Sequence, residues 1–155
     1  MTRMQWLEHK IPPPVVALVC ALGMWAWSPA LEWAGIELTR KIVAVAIALI
    51  GMGFDAMGLL AFFKAKTTIN PLRPGRASAL VARGVYRATR NPKYVGLALV
   101  LFGWALLLGG GGLWLGPVLF VAFITRFQIV PEERVMAEKF GDEYDAYCRQ
   151  VRRWL

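Results

Sequence analysis

Residues that could do chemistry lie on both sides of one long charge-free stretch, 94–125. Arg90-Asn91-Pro92-Lys93-Tyr94 leads into it, and Arg126, Gln128, Glu132 and Glu133 follow it. Asparagine followed by proline is typical of a helix start, where free backbone N–H groups and the helix dipole attract an anion. Carboxylates brought beside such a start would complete a polar pocket that can bind a charged ligand.

Each of these groups also has a structural interpretation, which composition alone leaves open. The residues around Asn91 form a complete capped helix start, and Glu132 with Glu133 could be a solvated pair that begins the next helix. Asp55 lies inside an apolar stretch, where an ionisable group is costly and is by default a functional candidate. It could instead form an ion pair with Arg126, whose guanidinium could equally extend to the membrane interface.

Three long apolar stretches must position these groups, and together they indicate a membrane protein. Hydrophobic residues make up 57% of the chain, which exceeds the roughly 45–50% of a soluble domain. Stretches 11–31 and 42–63 each fit one helix of about 20 residues that crosses a bilayer, and 94–125 fits two. Glycines at 109–112 split the longest stretch and predict a tight turn. Because the two halves would then run antiparallel, we expect the ends at Asn91 and Glu132 to be neighbours.

We therefore expect an all-α integral membrane protein in which residues 1–155 form one membrane-embedded domain. About four transmembrane helices are predicted, over 13–33, 40–63, 92–108 and 113–130. The segment 64–91 is expected to be an ordered cytoplasmic loop on the membrane surface, because apolar and basic residues alternate in it. The tail, 131–155, has apolar residues at three- and four-residue spacing, which predicts two amphipathic helices separated at Gly141.

The distribution of positive charge predicts the orientation in the membrane. The net charge is +8, and Lys and Arg concentrate in the segment 64–93 and in the tail, whereas the glycine turn has none. By the positive-inside rule, both termini and the site around Asn91 are cytoplasmic. The expected partner is the lipid bilayer rather than nucleic acid. Two distant cysteines and one histidine predict neither a metal site nor a disulfide framework.

Several short motifs, taken in order, give the chain a resemblance to a known family. They are Leu80-Val81-Ala82-Arg83-Gly84-Val85-Tyr86-Arg87, Arg90-Asn91-Pro92-Lys93-Tyr94-Val95-Gly96, Pro131-Glu132-Glu133-Arg134, Phe140-Gly141-Asp142-Glu143-Tyr144, Tyr147 and Val151-Arg152-Arg153. With these motifs, between 70 and 155, the sequence resembles the isoprenylcysteine carboxyl methyltransferase family of integral membrane methyltransferases and, more loosely, the phospholipid N-methyltransferases. Eukaryotic members of the first family have histidine where this chain has Asn91, so no imidazole can act as a base there.

The resemblance implies an enzyme that uses S-adenosyl-L-methionine. Carried over by position, the cofactor-binding residues would be Ser78, Ala79, Leu80, Val81, Tyr86, Asn91, Pro92, Lys93, Tyr94 and Glu132. Arg126 or Gln128 falls where the family places a substrate-facing arginine, which makes these two the candidate catalytic residues. Such an arginine could orient an acceptor carboxylate by paired hydrogen bonds.

The acceptor implied by the resemblance is lipophilic or small and reaches the site from the bilayer, with a prenylcysteine-like carboxylate as the first choice. A phospholipid amine and a small thiol are alternatives, because a carboxylate, a neutral amine and a thiolate can each attack a methylsulfonium without a strong base. An alternative from a different functional class is a non-catalytic structural membrane protein, in which these polar residues serve only membrane topology and helix packing.

Overall fold

All elements of the chain that the structure describes are helical, as the sequence predicts. The computed structural model describes residues 8, 10–28, 36–64, 80–109 and 111–155, and no strand occurs among them. The main helices are α1 (Pro13–Trp27), α2 (Leu38–Lys64), α3 (Pro92–Leu108), α4 (Leu115–Ile124), α5 (Val130–Phe140) and α6 (Asp142–Gln150). Short 3-10 turns cover Gly84–Arg87 and Gly111–Trp114, and a π-helical turn covers Thr125–Ile129.

Among the described residues, two helices are long and apolar enough to cross a membrane. They are α2 and the continuous helix Gly111–Phe140, which combines the 3-10 turn, α4, the π turn and α5. The other two apolar helices, α1 and α3, are shorter, at 15 and 17 residues. Helix α3 has the predicted bounds, 92–108, whereas α1 ends at Trp27 and the rest of the predicted first span, 29–33, lies outside the described residues.

The last apolar helix does not end near Pro131, where the sequence predicts the end of a span. It continues through Pro131 to Phe140, and the π turn Thr125–Ile129 comes directly before the proline. Proline has no N–H to donate, and local π geometry is one way in which a helix satisfies the carbonyl left without its usual partner. The predicted break at Gly141 is confirmed, since α5 ends there and α6 begins at Asp142.

Helix α2 packs closely on α3 through small residues that recur every seven positions. On α2 the buried residues are Ala44, Gly51 and Gly58, and on α3 they meet Gly96 and Gly103. A methyl group at Gly51 would lie 2.6 Å from the carbonyl oxygen of Gly96, and one at Gly103 would lie 2.6 Å from that of Ala44. Such close backbone approach is typical of helix pairs in membranes, where small residues form the interface. Many large apolar side chains on the remaining surface of α2 are exposed, among them Leu49, Met52 and Leu60.

The opposite side of α3 packs against α1 and α4. Ala105, Phe120 and Ile124 are completely buried there, and the indole Nε1 of Trp104 donates to the carbonyl of Ala21 at 3.1 Å. Gly109 ends α3 in a left-handed conformation with φ 118°, which confirms the predicted turn and returns the chain antiparallel to α3. Consequently α3 lies at the centre of the bundle.

The glycine contact gives a testable prediction with a matched control in the same helix. Gly51→Ala should separate α2 from α3 and destabilise the protein by about 1–3 kcal/mol, because overpacking forces the backbones apart. Gly53→Ala should not lower stability, since no atom lies within 4 Å of a methyl group at Gly53. Thermal unfolding of the two variants in detergent measures the difference. Equal midpoints would contradict the close packing described above.

Candidate functional site

The antiparallel arrangement brings the start of α3 to the start of α5. The hydroxyl of Tyr94 donates to Oε1 of Glu132 at 2.6 Å, and Nη2 of Arg90 lies 3.2 Å from Oε1 of Glu133. The sequence-based expectation that these two ends are neighbours is therefore confirmed. The two successive glutamates have different partners, Glu132 on the helix side and Glu133 on the side of the preceding loop.

Lys93 and Tyr86 extend this contact into a polar cluster. The half-buried ammonium of Lys93 interacts electrostatically with the carboxylates of Glu132 and Asp55, and its Nζ lies 5.2 Å from the centre of the Phe62 ring. Tyr86 packs edge-on against Phe62 with ring centres 5.5 Å apart. We call Tyr86, Lys93, Tyr94 and Glu132 the polar cluster. All four are among the residues that the resemblance assigns to cofactor binding.

The phenol of Tyr86 is held neutral by its surroundings. Burial raises its pKa well above the ordinary value, and the electrostatic effects of Tyr147 and Glu132 add to the increase. The Tyr147 hydroxyl donates to the backbone carbonyl of Tyr86 at 2.7 Å, which ties helix α6 to this turn. The Tyr86 hydroxyl is protonated at neutral pH, as any ordinary phenol is, and its raised pKa keeps it a hydrogen-bond donor at alkaline pH as well.

Two cavities near the cluster are lined by described residues: Lys93 and Tyr94 of the cluster line the smaller one, whereas the lining of the larger one includes none of the four. The larger, of about 840 Å³, lies between the end of α2 and the segment 80–85, and the predicted cofactor residues Leu80 and Val81 form part of its wall. Ala61 and Val85, the neighbours of Phe62 and Tyr86 in sequence, line it as well. The smaller cavity, of about 310 Å³, lies between α1 and α2 over α3. It is lined by Pro13, Pro14, Asp55, Leu59, Lys93, Tyr94 and Leu97.

Asn91 and Pro92 serve packing in this structure. The side chain of Asn91 makes no capping bond to its own helix, in contrast to the sequence-based expectation, and its Nδ2 donates to the carbonyl of Arg153 at 3.0 Å. Pro92 is buried against α2, with its Cγ 3.3 Å from the position of a methyl group at Gly58. The ring fits there because glycine leaves the space.

The two candidate catalytic residues face the beginning of α1. Nη1 of Arg126 pairs with Oε1 of Glu8 at 3.1 Å, rather than with Asp55. Gln128 is fully buried, and its Nε2 donates to the carbonyl of Ile11 at 2.8 Å. Both residues therefore bond to the segment before α1 and not to the polar cluster, although both lie in the π turn that leads to Glu132. Ser78 and Ala79 lie outside the described residues.

Three contributors to the site were not predicted from the sequence. Phe62 has a detectable signal, since it follows Gly58 by one helical turn and so lies on the face of α2 that meets α3. Glu8 and Trp154 have no such signal in the sequence. The partner of Glu8 is Arg126, more than a hundred residues away, and the partner of Trp154 is Thr125, nearly thirty residues away. Long-range contacts of this kind depend on the assembled bundle.

Comparison with known proteins gives the site a family. Residues 39–143, well over half of the chain, match the phospholipid methyltransferase family. An uncharacterized protein of Haemophilus influenzae is 48% identical over 62 residues, which are 40% of this chain and 98% of that protein. The protein-S-isoprenylcysteine O-methyltransferase of Schizosaccharomyces pombe is 33% identical over 75 residues, 46% of this chain but only 30% of the yeast protein. No solved structure matches the chain.

The family match includes the 3-10 turn Gly84–Arg87, α3 and α5, and hence all four residues of the polar cluster. It also agrees with the methyltransferase resemblance of the motifs around Tyr86, Asn91 and Glu132. The chain belongs to the phospholipid methyltransferase family.

Proposed function

We propose that the protein is an S-adenosylmethionine-dependent membrane methyltransferase that acts on a lipophilic or small acceptor. The observation that carries the proposal is the bond between Tyr94 and Glu132, which joins the two helix starts within the stretch that matches the family. A structural ion pair alone would not account for a half-buried carboxylate bonded to a phenol, with that phenol and an ammonium in the wall of a cavity large enough for a ligand.

The side chains of the site fit the proposed cofactor chemically. S-adenosylmethionine carries an amino group, a carboxylate, a sulfonium and a purine. Glu132 suits the amino group and Lys93 the carboxylate, while the aromatic faces of Phe62 and Tyr86 suit a cation or a purine ring. The cavity of about 840 Å³ lies within the range of about 300–1,000 Å³ that is common for ligand sites. Leu80 and Val81 supply its apolar wall.

The protein's own contribution to the reaction is positioning and exclusion of water. When bound, S-adenosylmethionine supplies a methyl group on a sulfonium, and attack by an acceptor lone pair breaks the carbon–sulfur bond and leaves its electrons on a neutral sulfur. Glu132 and Lys93 would fix the polar end of the site, and the apolar walls would keep water out. A carboxylate acceptor needs no proton transfer, and a neutral amine releases its proton after the transfer.

Arg126 and Gln128 are proposed to orient the acceptor. The guanidinium of Arg126 is partly exposed and pairs with Glu8. An acceptor carboxylate could take the place of that glutamate and pair with the guanidinium instead. Oε1 of Gln128 is buried without a hydrogen-bond partner among the described residues. Buried polar atoms normally have a partner, which makes this oxygen a candidate for contact with a ligand.

We further propose that α1, α2, α3 and the helix Gly111–Phe140 all span the membrane, with both termini and the site on the cytoplasmic side. The positive-inside rule and the exposed apolar surface of α2 support this arrangement. Helices α1 and α3 are short for a bilayer of about 30 Å, but local thinning and flanking polar residues accommodate short spans at modest cost.

The acceptor would enter through the smaller cavity, between α1 and α2. Its walls are mostly apolar, and its floor is formed by Lys93, Tyr94 and Leu97 of α3, so a lipid tail would bring its polar end to the polar cluster. A prenylcysteine-like carboxylate is our first choice, and the yeast relative supports it. A phospholipid amine is the second, because Asp55 in the same cavity would attract an ammonium and could take the proton that the nitrogen must lose before it attacks, and because the family match favours a phospholipid.

Titration of the purified protein with S-adenosylmethionine tests the proposal. Glu132→Gln should weaken binding about ten- to a hundredfold, because a hydrogen bond to a charged group contributes about 1.5–3 kcal/mol. Glu138→Gln, an exposed carboxylate further along α5, is the matched control and should bind like the unchanged protein. Absence of binding, or equal binding by all three proteins, would overturn the assignment.

A second experiment separates acceptor from cofactor. Leu59→Trp should fill the smaller cavity and raise the KM for the acceptor about tenfold, while the Kd for S-adenosylmethionine stays within about twofold. Leu49→Trp, an exposed leucine of the same helix, should leave both values unchanged. The assay supplies cofactor with a labelled methyl group together with prenylcysteine, phospholipid and thiol acceptors. Label found only in phospholipid would exclude the carboxylate acceptor, and an unchanged KM would exclude this route.

A further inference from the structure

The last residues of the chain form an extended strap across the entrance to α3. After α6 the backbone becomes extended at Val151, with φ −126° and ψ 133°. The carbonyl of Arg152 accepts a hydrogen bond from the backbone N–H of Arg90 at 2.9 Å. The carbonyl of Arg153 accepts from Oγ1 of Thr89 at 3.1 Å and from Nδ2 of Asn91 at 3.0 Å. All three donors lie directly before α3. We call residues 151–154 the strap.

The strap also holds the start of α5 and the π turn before it. Nε and Nη2 of Arg153 donate to the two oxygens of Glu133 at 3.0 and 2.6 Å, in the paired geometry that makes arginine–carboxylate contacts strong. Arg90 pairs with the same carboxylate, which therefore lies between two guanidinium groups. The indole Nε1 of Trp154 donates to Oγ1 of Thr125 at 3.2 Å.

These contacts join the same two segments as the bond between Tyr94 and Glu132. Thr89, Arg90 and Asn91 set the position of the first turn of α3, which carries Tyr94. Glu133 sets the rotation of α5 about its axis. Neighbouring residues of a helix point about 100° apart, so once Glu133 is held in place the direction of Glu132 is fixed as well. With both segments held from the strap, the hydroxyl of Tyr94 and the carboxylate of Glu132 meet at 2.6 Å.

We propose that Glu133 and Arg153 are positioning residues, which act through the strap to hold Glu132 against Tyr94 in the geometry that binds the cofactor. The inference rests on the proposed function and adds to it a role for the C-terminal residues. Helix packing itself does not need the ion pairs: Glu133 and Arg153 take part neither in the glycine contact of α2 with α3 nor in the α1–α3–α4 core, against which Trp154 of the strap packs. Their loss should therefore affect the site before it affects the fold.

Amide hydrogen exchange in the absence of cofactor tests the positioning directly. Glu133→Gln and Arg153→Gln should each accelerate exchange about fivefold or more at 93–96 and 130–134, because local opening depends on local contacts. Residues 98–106, in the middle of α3, should exchange as in the unchanged protein. Arg149→Gln, an exposed arginine of α6, is the control and should change neither region. Exchange that is unaffected, or that accelerates along all helices alike, would overturn the inference.

Cofactor binding provides the second readout. Glu133→Gln should weaken S-adenosylmethionine binding about tenfold, but by less than about twofold when Tyr94→Phe is already present, since residues that act through one contact are not additive. Equal effects in both backgrounds would show that Glu133 acts independently of the Tyr94–Glu132 bond and would overturn the inference. If the unchanged protein binds no cofactor, the proposed function fails. The hydrogen-exchange experiment alone then tests whether Glu133 and Arg153 hold Glu132 against Tyr94.

Discussion

The site depends on one constraint, the antiparallel return of the chain after α3. Because Gly109 turns the backbone, the helix Gly111–Phe140 runs back along α3 and passes its start at Glu132. Tyr94 and Glu132 can then share a hydrogen bond although they are 38 residues apart. Glu132 is half-buried, so this bond and the nearby ammonium of Lys93 replace interactions that water would otherwise provide. Without the hairpin, neither partner would be available.

Helix α2 contributes to the site through the same close approach that holds it to α3. The small residues bring the backbones together, so the side chains on either side of them reach over α3. The carboxylate of Asp55 lies against Gly96, and Phe62 lies over Lys93. The glycines therefore do more than stabilise a helix pair, because any larger residue would move Asp55 and Phe62 away from the polar cluster. Packing and site geometry are coupled at this interface.

Much of this arrangement could be predicted from the sequence. The charge-free stretch and its glycines give α3, its turn and the returning helix, and antiparallel pairing then makes residues near 91 and 132 neighbours. The continuation of the helix through Pro131 could not be predicted, because it depends on a π turn that no local signal marks. The partner of Arg126 could not be predicted either. Glu8 is 118 residues away in the sequence, which offered Asp55 as the possible partner instead.

The two adjacent glutamates show where sequence reasoning ends. Glu132 and Glu133 have the same chemistry and follow the same proline, so a solvated pair and a binding pair are indistinguishable from composition. What separates them is the direction of each side chain around α5. Glu132 faces Tyr94 and the polar cluster, whereas Glu133 faces Arg90 and the C-terminal strap. Glu132 thereby accepts a hydrogen bond from a tyrosine, while its neighbour pairs with two guanidinium groups. That difference arises only when the last residues of the chain return to the start of α3.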